Sequence, residues 1–224
     1  MHLAGNYASG LTFTATTMVN VQTLDLAAGD SYNLTLNSAT VAGGQTLTIQ
    51  ASGLGAGDSL TLNGSAVDGN LVVYAGSGSS FIEGGLGADK LYAGSGADTF
   101  AYAAVGDSTG ATFDTITGFN TGSDKIDLIG SLSGVTAIDA AVATGVLGPT
   151  NFNTVLAHDI GAGQLQAGGA VLFTPSSGGY AGGTFLIIDE NGVAGYQAGQ
   201  DLVIELSHGV SLASLSVSNF ETVG

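Results

Sequence analysis

The sequence predicts an all-β fold: a parallel β-roll or β-solenoid followed by a β-sandwich-like C-terminal cap. Three observations carry this reading. Gly84-Gly85-Leu86-Gly87-Ala88-Asp89-Lys90-Leu91-Tyr92 and Ala93-Gly94-Ser95-Gly96-Ala97-Asp98-Thr99-Phe100-Ala101 are consecutive nine-residue blocks in one frame, and a short fixed repeat marks a coiled chain. Apolar pairs alternating with Thr, Asp or Asn recur through the first 65 residues, the period of half-buried strands. The 38 glycines are too many for ordinary helices and lack the collagen period.

The apolar pairs are Leu24/Leu26, Leu34/Leu36, Leu47/Ile49 and Leu60/Leu62, separated by turn-rich pieces such as Ala27 to Ser31 and Gly53 to Asp58. Their spacing fits successive sides of a coil. A β-sandwich also spaces strands at roughly 8–12 residues. The tightening of the spacing into nonapeptides favours solenoid rungs for residues 1–65. Residues 66–74 keep the nine-residue register but lose the glycine pattern, and residues 75–83 keep the frame with Ser80 where an aspartate is expected. The next block, 102–110, retains only Asp107 at the sixth position. The expected organisation is therefore rungs over 1–65, a repeat roll over 66–110 and a β-rich cap over 111–224.

Within the cap, the Ala-rich stretch from Val135 to Leu147 predicts a helix. Residues 170–174, 184–188 and 202–206 predict strands. Asp189-Glu190-Asn191-Gly192 predicts a tight turn, and Pro149 and Pro175 fall in expected loops.

Two basic residues against 18 acidic ones give a net charge of −16. That argues against nucleic acid, which demands Lys and Arg, and against anionic lipid. It favours a hard cation, since carboxylate and carbonyl oxygens suit calcium. No cysteine is present, so thiolate metal sites are excluded. No apolar run approaches the ~20 residues that span a bilayer, so membrane insertion is not expected. Met1-His2 leads into polar sequence rather than a signal-peptide pattern.

In the nonapeptide motif, glycines at positions one, two and four allow a tight turn that points carbonyl oxygens inward, and positions two and four are glycine in all three blocks from 75 to 101. The sixth-position aspartate adds a carboxylate. The eighth residue (Ile82, Leu91, Phe100) enters the core. Calcium needs six to eight oxygens at ~2.3–2.6 Å, and turns from stacked coils supply them together. The candidate metal set from these turns is Gly76, Gly78, Gly85, Gly87, Asp89, Gly94, Gly96, Asp98 and Asp107. The 75–83 turn is expected to stack on 93–101. The 84–92 turn is expected to stack on 102–110, pairing Asp89 with Asp107, and below on 66–74, near Asp68. Asp30, Asp58 and Asp68 read as solvated turn residues, and about two to four ions are expected.

These repeats resemble RTX proteins secreted by Gram-negative bacteria, most specifically over residues 75–128. Phe100-Ala101-Tyr102, Gly106-Asp107-Ser108, Asp114 to Phe119 and Asp124-Lys125-Ile126-Asp127-Leu128 are similar to the segment after the β-roll in the serralysin C-terminal domain. Residues 184–220 resemble the end of its secretion region, and residues 20–65 resemble rungs that precede the repeats in RTX surface-layer proteins. The resemblance implies a calcium-filled β-roll, Asp107 and Asp114 beside the last ions, and an uncleaved C-terminal signal for type I secretion. The implied partners are calcium ions and the type I machinery, in a secreted, extracellular or cell-surface setting. Self-association in a surface lattice and binding to cell-surface polysaccharide are further candidate interactions.

No catalytic constellation accompanies the repeats. His2, His158 and His208 lack the H-E-x-x-H spacing of a zinc protease. Gly106-Asp107-Ser108-Thr109-Gly110 spells G-x-S-x-G without the strand-turn-helix context or the later partners of a nucleophile elbow. Gly57-Asp58-Ser59-Leu60 likewise lacks its partner histidine. Asp189, Asn191 and Asp201 suggest an EF-hand loop, but Val193 and a displaced glycine depart from it. The chain is expected not to be an enzyme.

Overall fold

The computed structural model describes residues 1–207 and 214–222. Its strands are β1 (His2–Leu3), β2 (Tyr7–Thr12), β3 (Thr23–Leu26), β4 (Tyr32–Thr35), β5 (Thr46–Gln50) and β6 (Ser59–Asn63). They continue with β7 (Asn70–Tyr74), β8 (Ser79–Glu83), β9 (Lys90–Tyr92), β10 (Thr99–Tyr102), β11 (Asp114–Thr117) and β12 (Lys125–Leu128). The C-terminal part adds β13 (Ala137–Ile138), helix α1 (Phe152–Asp159), β14 (Gly169–Phe173), β15 (Phe185–Ile188), β16 (Leu202–Ser207) and β17 (Phe220–Glu221).

Up to β12 the chain winds as a coil. Odd strands join one sheet and even strands the other, each pairing in parallel with the strand two places on. The period-2 pattern is the cause: Leu24, Leu26, Leu34, Leu47, Ile49, Leu60, Leu62, Leu71, Val73, Ile82, Leu91 and Phe100 are all nearly fully buried between the sheets. Thr48, Thr61, Val72 and Phe81 alternate with them on the outer faces. The fold is thus the all-β parallel roll that the repeats imply.

Coil length varies with sequence. Hydrogen-bonded neighbours in adjacent coils lie 28 residues apart at Ser31 and Ser59, but 18 apart where nonapeptides stack. They are 25 and 26 apart just beyond. Two nonapeptides therefore make one full coil, and the glycine turns are its shortest form.

The C-terminal part extends the same sheets. β16 pairs in parallel with β11, β15 and β14 follow antiparallel, and β17 joins β12. β14, β15 and the first residues of β16 (Leu202, Val203 and Ile204) are buried on both faces, which is why they read as unbroken apolar runs. Leu172, Leu186, Ile188, Leu202 and Ile204 continue the core between the sheets. Val171, Phe173, Phe185, Ile187 and Val203 face a second cluster with Phe152, Leu156 and Ile160 of the helical segment. Phe113, Phe152, Tyr180 and Phe185 knit that cluster together with ring centroids 5.1–5.9 Å apart.

Two local expectations are corrected. The 135–147 stretch is not helical: it holds β13 and bridges at Val142 and Val146 to the Phe173 and Ser177 strand edge. Pairing beside β14 outweighs the helix preference of its alanines. The helix lies instead at Phe152–Asp159, where Phe152, Leu156 and Ile160 recur at helical spacing and are buried. Likewise, β15 and β16 pair antiparallel but are joined by the long 189–201 loop rather than an Asn-Gly turn.

Candidate metal centre

The nonapeptide turns stack so closely that only glycine fits. A Cβ on Gly94 or Gly96 would overlap the carbonyl oxygen of Gly76 or Gly78 in the coil below. Gly76 in turn rests on the carbonyls of Leu54 and Ala51, and Gly78 on those of Asp58 and Gly55. On the other edge, Gly85, with φ of +94°, and Gly87 rest on the carbonyls of Gly64, Val67 and Gly69. The expected stacking of 75–83 under 93–101, and of 84–92 on the turn before β7, is present.

A ladder of aspartates runs beside these turns. Asp98 Oδ1 accepts a hydrogen bond from the Ser80 amide (2.9 Å), one coil below. The Asp98 amide in turn donates to Asp124 Oδ1 (3.1 Å), one coil above. On the other sheet, Asp89 Oδ1 accepts from the Leu71 amide (2.7 Å), and the Asp89 amide donates to Asp114 Oδ1 (2.8 Å). Each aspartate stands at the start of its strand and ties its coil to the one beneath. Asp98 Oδ2 also closes its own turn by accepting from the Gly94 amide (2.9 Å), as Asp124 Oδ2 does from Asn120 (2.8 Å).

The upper neighbour of the 84–92 turn differs from expectation. β9 pairs with β11, so the residue above Asp89 is Asp114, and 102–110 is not a rung. That segment forms a 3-10 turn at Val105–Asp107 and lies over the site, with Gly106 packed near Leu86. Asp107 Oδ2 is taken by the amides of Ala103 and Ala104, while its charge bears on Asp89, Asp114 and Glu83. Asp107 therefore shares the neighbourhood without sharing the ladder.

The ladder is buried: Asp89, Asp98, Asp114 and Asp124 are at most 1% exposed. Burial, with Asp107 nearby, pushes the Asp89 carboxyl up to about 7. Burial and the Asp89 charge drive Asp114 well above the carboxylate range, and burial, countered by hydrogen bonds and reinforced by Asp124, raises Asp98. Burial and these aspartates also raise Tyr102. Asp89 Oδ2 is buried with no hydrogen-bond partner, and burying such an oxygen unpaired is costly.

Among the described residues, no group of three or more His, Cys, Asp or Glu side chains is placed to hold a metal. Main-chain carbonyls line the stacked turns, those of Gly76 and Gly78 under Gly94 and Gly96 and those of Gly64, Val67 and Gly69 under Gly85 and Gly87, and would have to supply most donors to an ion here. This donor set, all oxygen and partly unpaired, suits calcium better than a softer metal.

Asp124 was not among the sequence candidates. Its signal was present: Gly122-Ser123-Asp124-Lys125-Ile126 repeats the second half of the nonapeptide around Gly87-Ala88-Asp89-Lys90-Leu91. Asp58, read as a solvated turn residue, accepts from the amides of Gly55 (2.8 Å) and Gly29 (3.2 Å) and so also links coils. Asp30 accepts from Gly5 (3.0 Å) at the surface.

The serine of the G-x-S-x-G stretch is structural. Ser108 is fully buried, its hydroxyl donates to the Val203 carbonyl (2.5 Å) and accepts from the Asp114 amide (2.8 Å). His158 is exposed beside Asp159, His2 pairs with Asp25 at the surface, and His208 lies outside the described residues. No helix is long and apolar enough to cross a membrane among the described residues.

The comparisons with known proteins agree with this geometry. A family model described as Peptidase M10 serralysin C terminal matches residues 12–145, which covers the coil from the end of β2 to β12, both halves of the aspartate ladder and β13. No curated protein matches the chain.

Proposed function

Since this chain belongs to the Peptidase M10 serralysin C-terminal family, we propose that it is the calcium-dependent folding and type I secretion module of an extracellular protein. The observation that carries the reading is the buried aspartate ladder beside stacked glycine turns, with Asp89 Oδ2 unpaired.

Asp89 and Asp114 on one sheet, and Asp98 and Asp124 on the other, would hold the ions together with carbonyls around Gly76, Gly78, Gly85, Gly87, Gly94 and Gly96. Asp107 would add charge from above. Bound calcium supplies the positive charge that lets these buried carboxylates remain ionised. Without that charge, close-set carboxylates and inward carbonyls oppose closure of the coil, so the chain stays loose while calcium is scarce and fit for export. Each aspartate's second task is mechanical: it receives the amide of the neighbouring coil, so closing one coil templates the next.

Circular dichroism during a calcium titration, reversed with EGTA, tests this. The β-signal should rise with calcium and fall with EGTA. A full β-spectrum in EGTA, unmoved by calcium, would sink the reading.

The finer setting we propose is a surface-layer or adhesive structural protein. It is favoured by the extended run of rungs over β1–β6, whose outer faces are Thr- and Asn-rich. Partners would then be further copies in a lattice, or cell-surface polysaccharide. Calcium-dependent growth of particle size in light scattering supports it, and a monomer under both conditions opposes it. The family match favours a second setting, the C-terminal domain of a secreted hydrolase, in which this chain does no catalysis itself. An H-E-x-x-H module elsewhere in the same polypeptide would decide for that setting.

A further inference from the structure

The 189–201 loop carries a second cluster of buried acids that the aspartate ladder does not use. β15 ends at Ile188 and β16 begins at Leu202, which are paired across the antiparallel ladder. Asp189 and Asp201 are therefore the next residues on each strand and face one another. They are 1% and 0% exposed. Burial followed by hydrogen bonding and the Asp189 charge leaves Asp201 at about 6, with the Asp189 carboxyl within hydrogen-bonding reach.

The main chain satisfies only part of this pair. Asp189 Oδ2 accepts from the Gly168 amide (2.6 Å), and Asp201 Oδ2 accepts from the Gln197 amide (2.6 Å). Asp201 Oδ1 has one long contact, from the Glu190 amide (3.4 Å). Asp189 Oδ1 is buried with no hydrogen-bond partner, and so is Oε1 of the adjacent Glu190. Glu190 Oε2 is anchored by the Ser133 amide (2.6 Å). No ion pair among the described residues reaches any of these three acids. Two neighbouring buried carboxylates, one with an unpaired oxygen, need a positive partner.

We propose that the 189–201 loop closes around a hard divalent cation, bridged by Asp189 and Asp201 and separate from the ions of the roll. The donors are all oxygen, which selects calcium or a similar hard ion over zinc or copper. No three acidic side chains converge there, so loop carbonyls and water complete the shell, with Glu190 beside it. The site would pin the end of the β15–β16 pair. Asp201 also accepts, through its carbonyl, a hydrogen bond from Thr109 (2.9 Å), so an ion here would steady the loop lying over the ladder. This departs from the plain-turn reading of Asp189, Asn191 and Asp201 and from an EF-hand, since Asn191 is occupied by Val193, Gln197 and Gln200.

The competing occupant is a proton shared by the two carboxyls. Native mass spectrometry of the full chain with calcium alone separates them. Asp201→Asn should bind one ion fewer than the parent chain while the roll keeps its own calcium-induced β-signal, since none of its ladder aspartates is changed. An unchanged ion count overturns the proposal. A second test needs no change to the acids. Tyr196 is buried and lies in the field of Asp201, so terbium bound there should emit on tyrosine excitation. Tyr196→Phe should remove that share of the emission while the remainder, from the roll, persists. Undiminished emission in a folded Tyr196→Phe chain also overturns it. Failure of either test leaves the response of the roll to calcium standing, because that is read from the parent chain.

Discussion

At the scale of single residues, the aspartates differ in what they bind. Asp98 has both carboxylate oxygens engaged by amides, whereas Asp89 has one engaged and one buried unpaired. Asp89→Asn keeps an acceptor for the Leu71 amide and removes a buried charge. It should therefore raise the stability of the calcium-free chain and weaken its response to calcium, measured as urea midpoints in EGTA and in calcium. Asp98→Ala removes two amide acceptors and should destabilise both states by about 1–3 kcal/mol, while Asp30→Ala at the exposed Gly5 contact should change little. Glycines divide in the same way. Gly94→Ala forces a methyl group into the Gly76 carbonyl and should abolish the calcium-induced β-signal. Gly57→Ala meets open space at an ordinary φ and should be neutral or stabilise by about 0.4–1 kcal/mol.

At the scale of elements, the junction between β10 and β11 is where the repeat stops and the metal-side architecture changes. Ser108 holds it: its hydroxyl bridges β11 and β16, and its carbonyl accepts the Val203 amide (3.0 Å). Ser108→Ala leaves the buried Asp114 amide unpaired, so a loss of about 1–3 kcal/mol is expected in thermal or urea unfolding. A nucleophile there would instead lose an activity and keep its stability. The helix α1 shows the complementary case. Its Phe152 and Leu156, with Ile160 just past its end, lie four apart on one helix face and are buried, while the alanine-rich 135–147 stretch has the helix-favouring composition. Alanine content reports intrinsic preference alone, whereas the edge of β14 offers that stretch hydrogen bonds to complete.

At the scale of the whole molecule, the buried acids act together on stability. Asp89, Asp98, Asp114, Glu83, Glu190 and Asp201 are all held above the ordinary carboxylate range, in each case first by burial. In the calcium-free folded chain these groups keep protons that the unfolded chain has released, so unfolding releases protons as pH rises. Their contribution to stability is present below the ordinary carboxylate range and is lost as pH climbs through about 6 to 7. Without calcium the fold should therefore be most stable in mild acid and weaken toward neutrality. Calcium reverses the trend, because it binds the ionised form and its affinity should rise over the same interval. Melting temperatures from pH 5 to 8, in EGTA and in calcium, check both slopes. Parallel curves would contradict the coupling.

The sequence by itself determined the coil, its glycine turns, the Asp89 and Asp98 positions and the all-β class, because each depends on a local pattern. Alternation fixes which face a residue takes, and glycine permits the tight stacking. Tertiary structure decided which coils meet. The pairing of Asp89 with Asp114 rather than Asp107 follows from a 25-residue step that breaks the nine-residue frame. The fusion of β16 to β11, and the meeting of Asp189 with Asp201 at the end of an antiparallel pair, join segments far apart in the chain. Local pattern holds no record of such contacts; they are set by which buried surfaces and unpaired strand edges find each other when the chain closes.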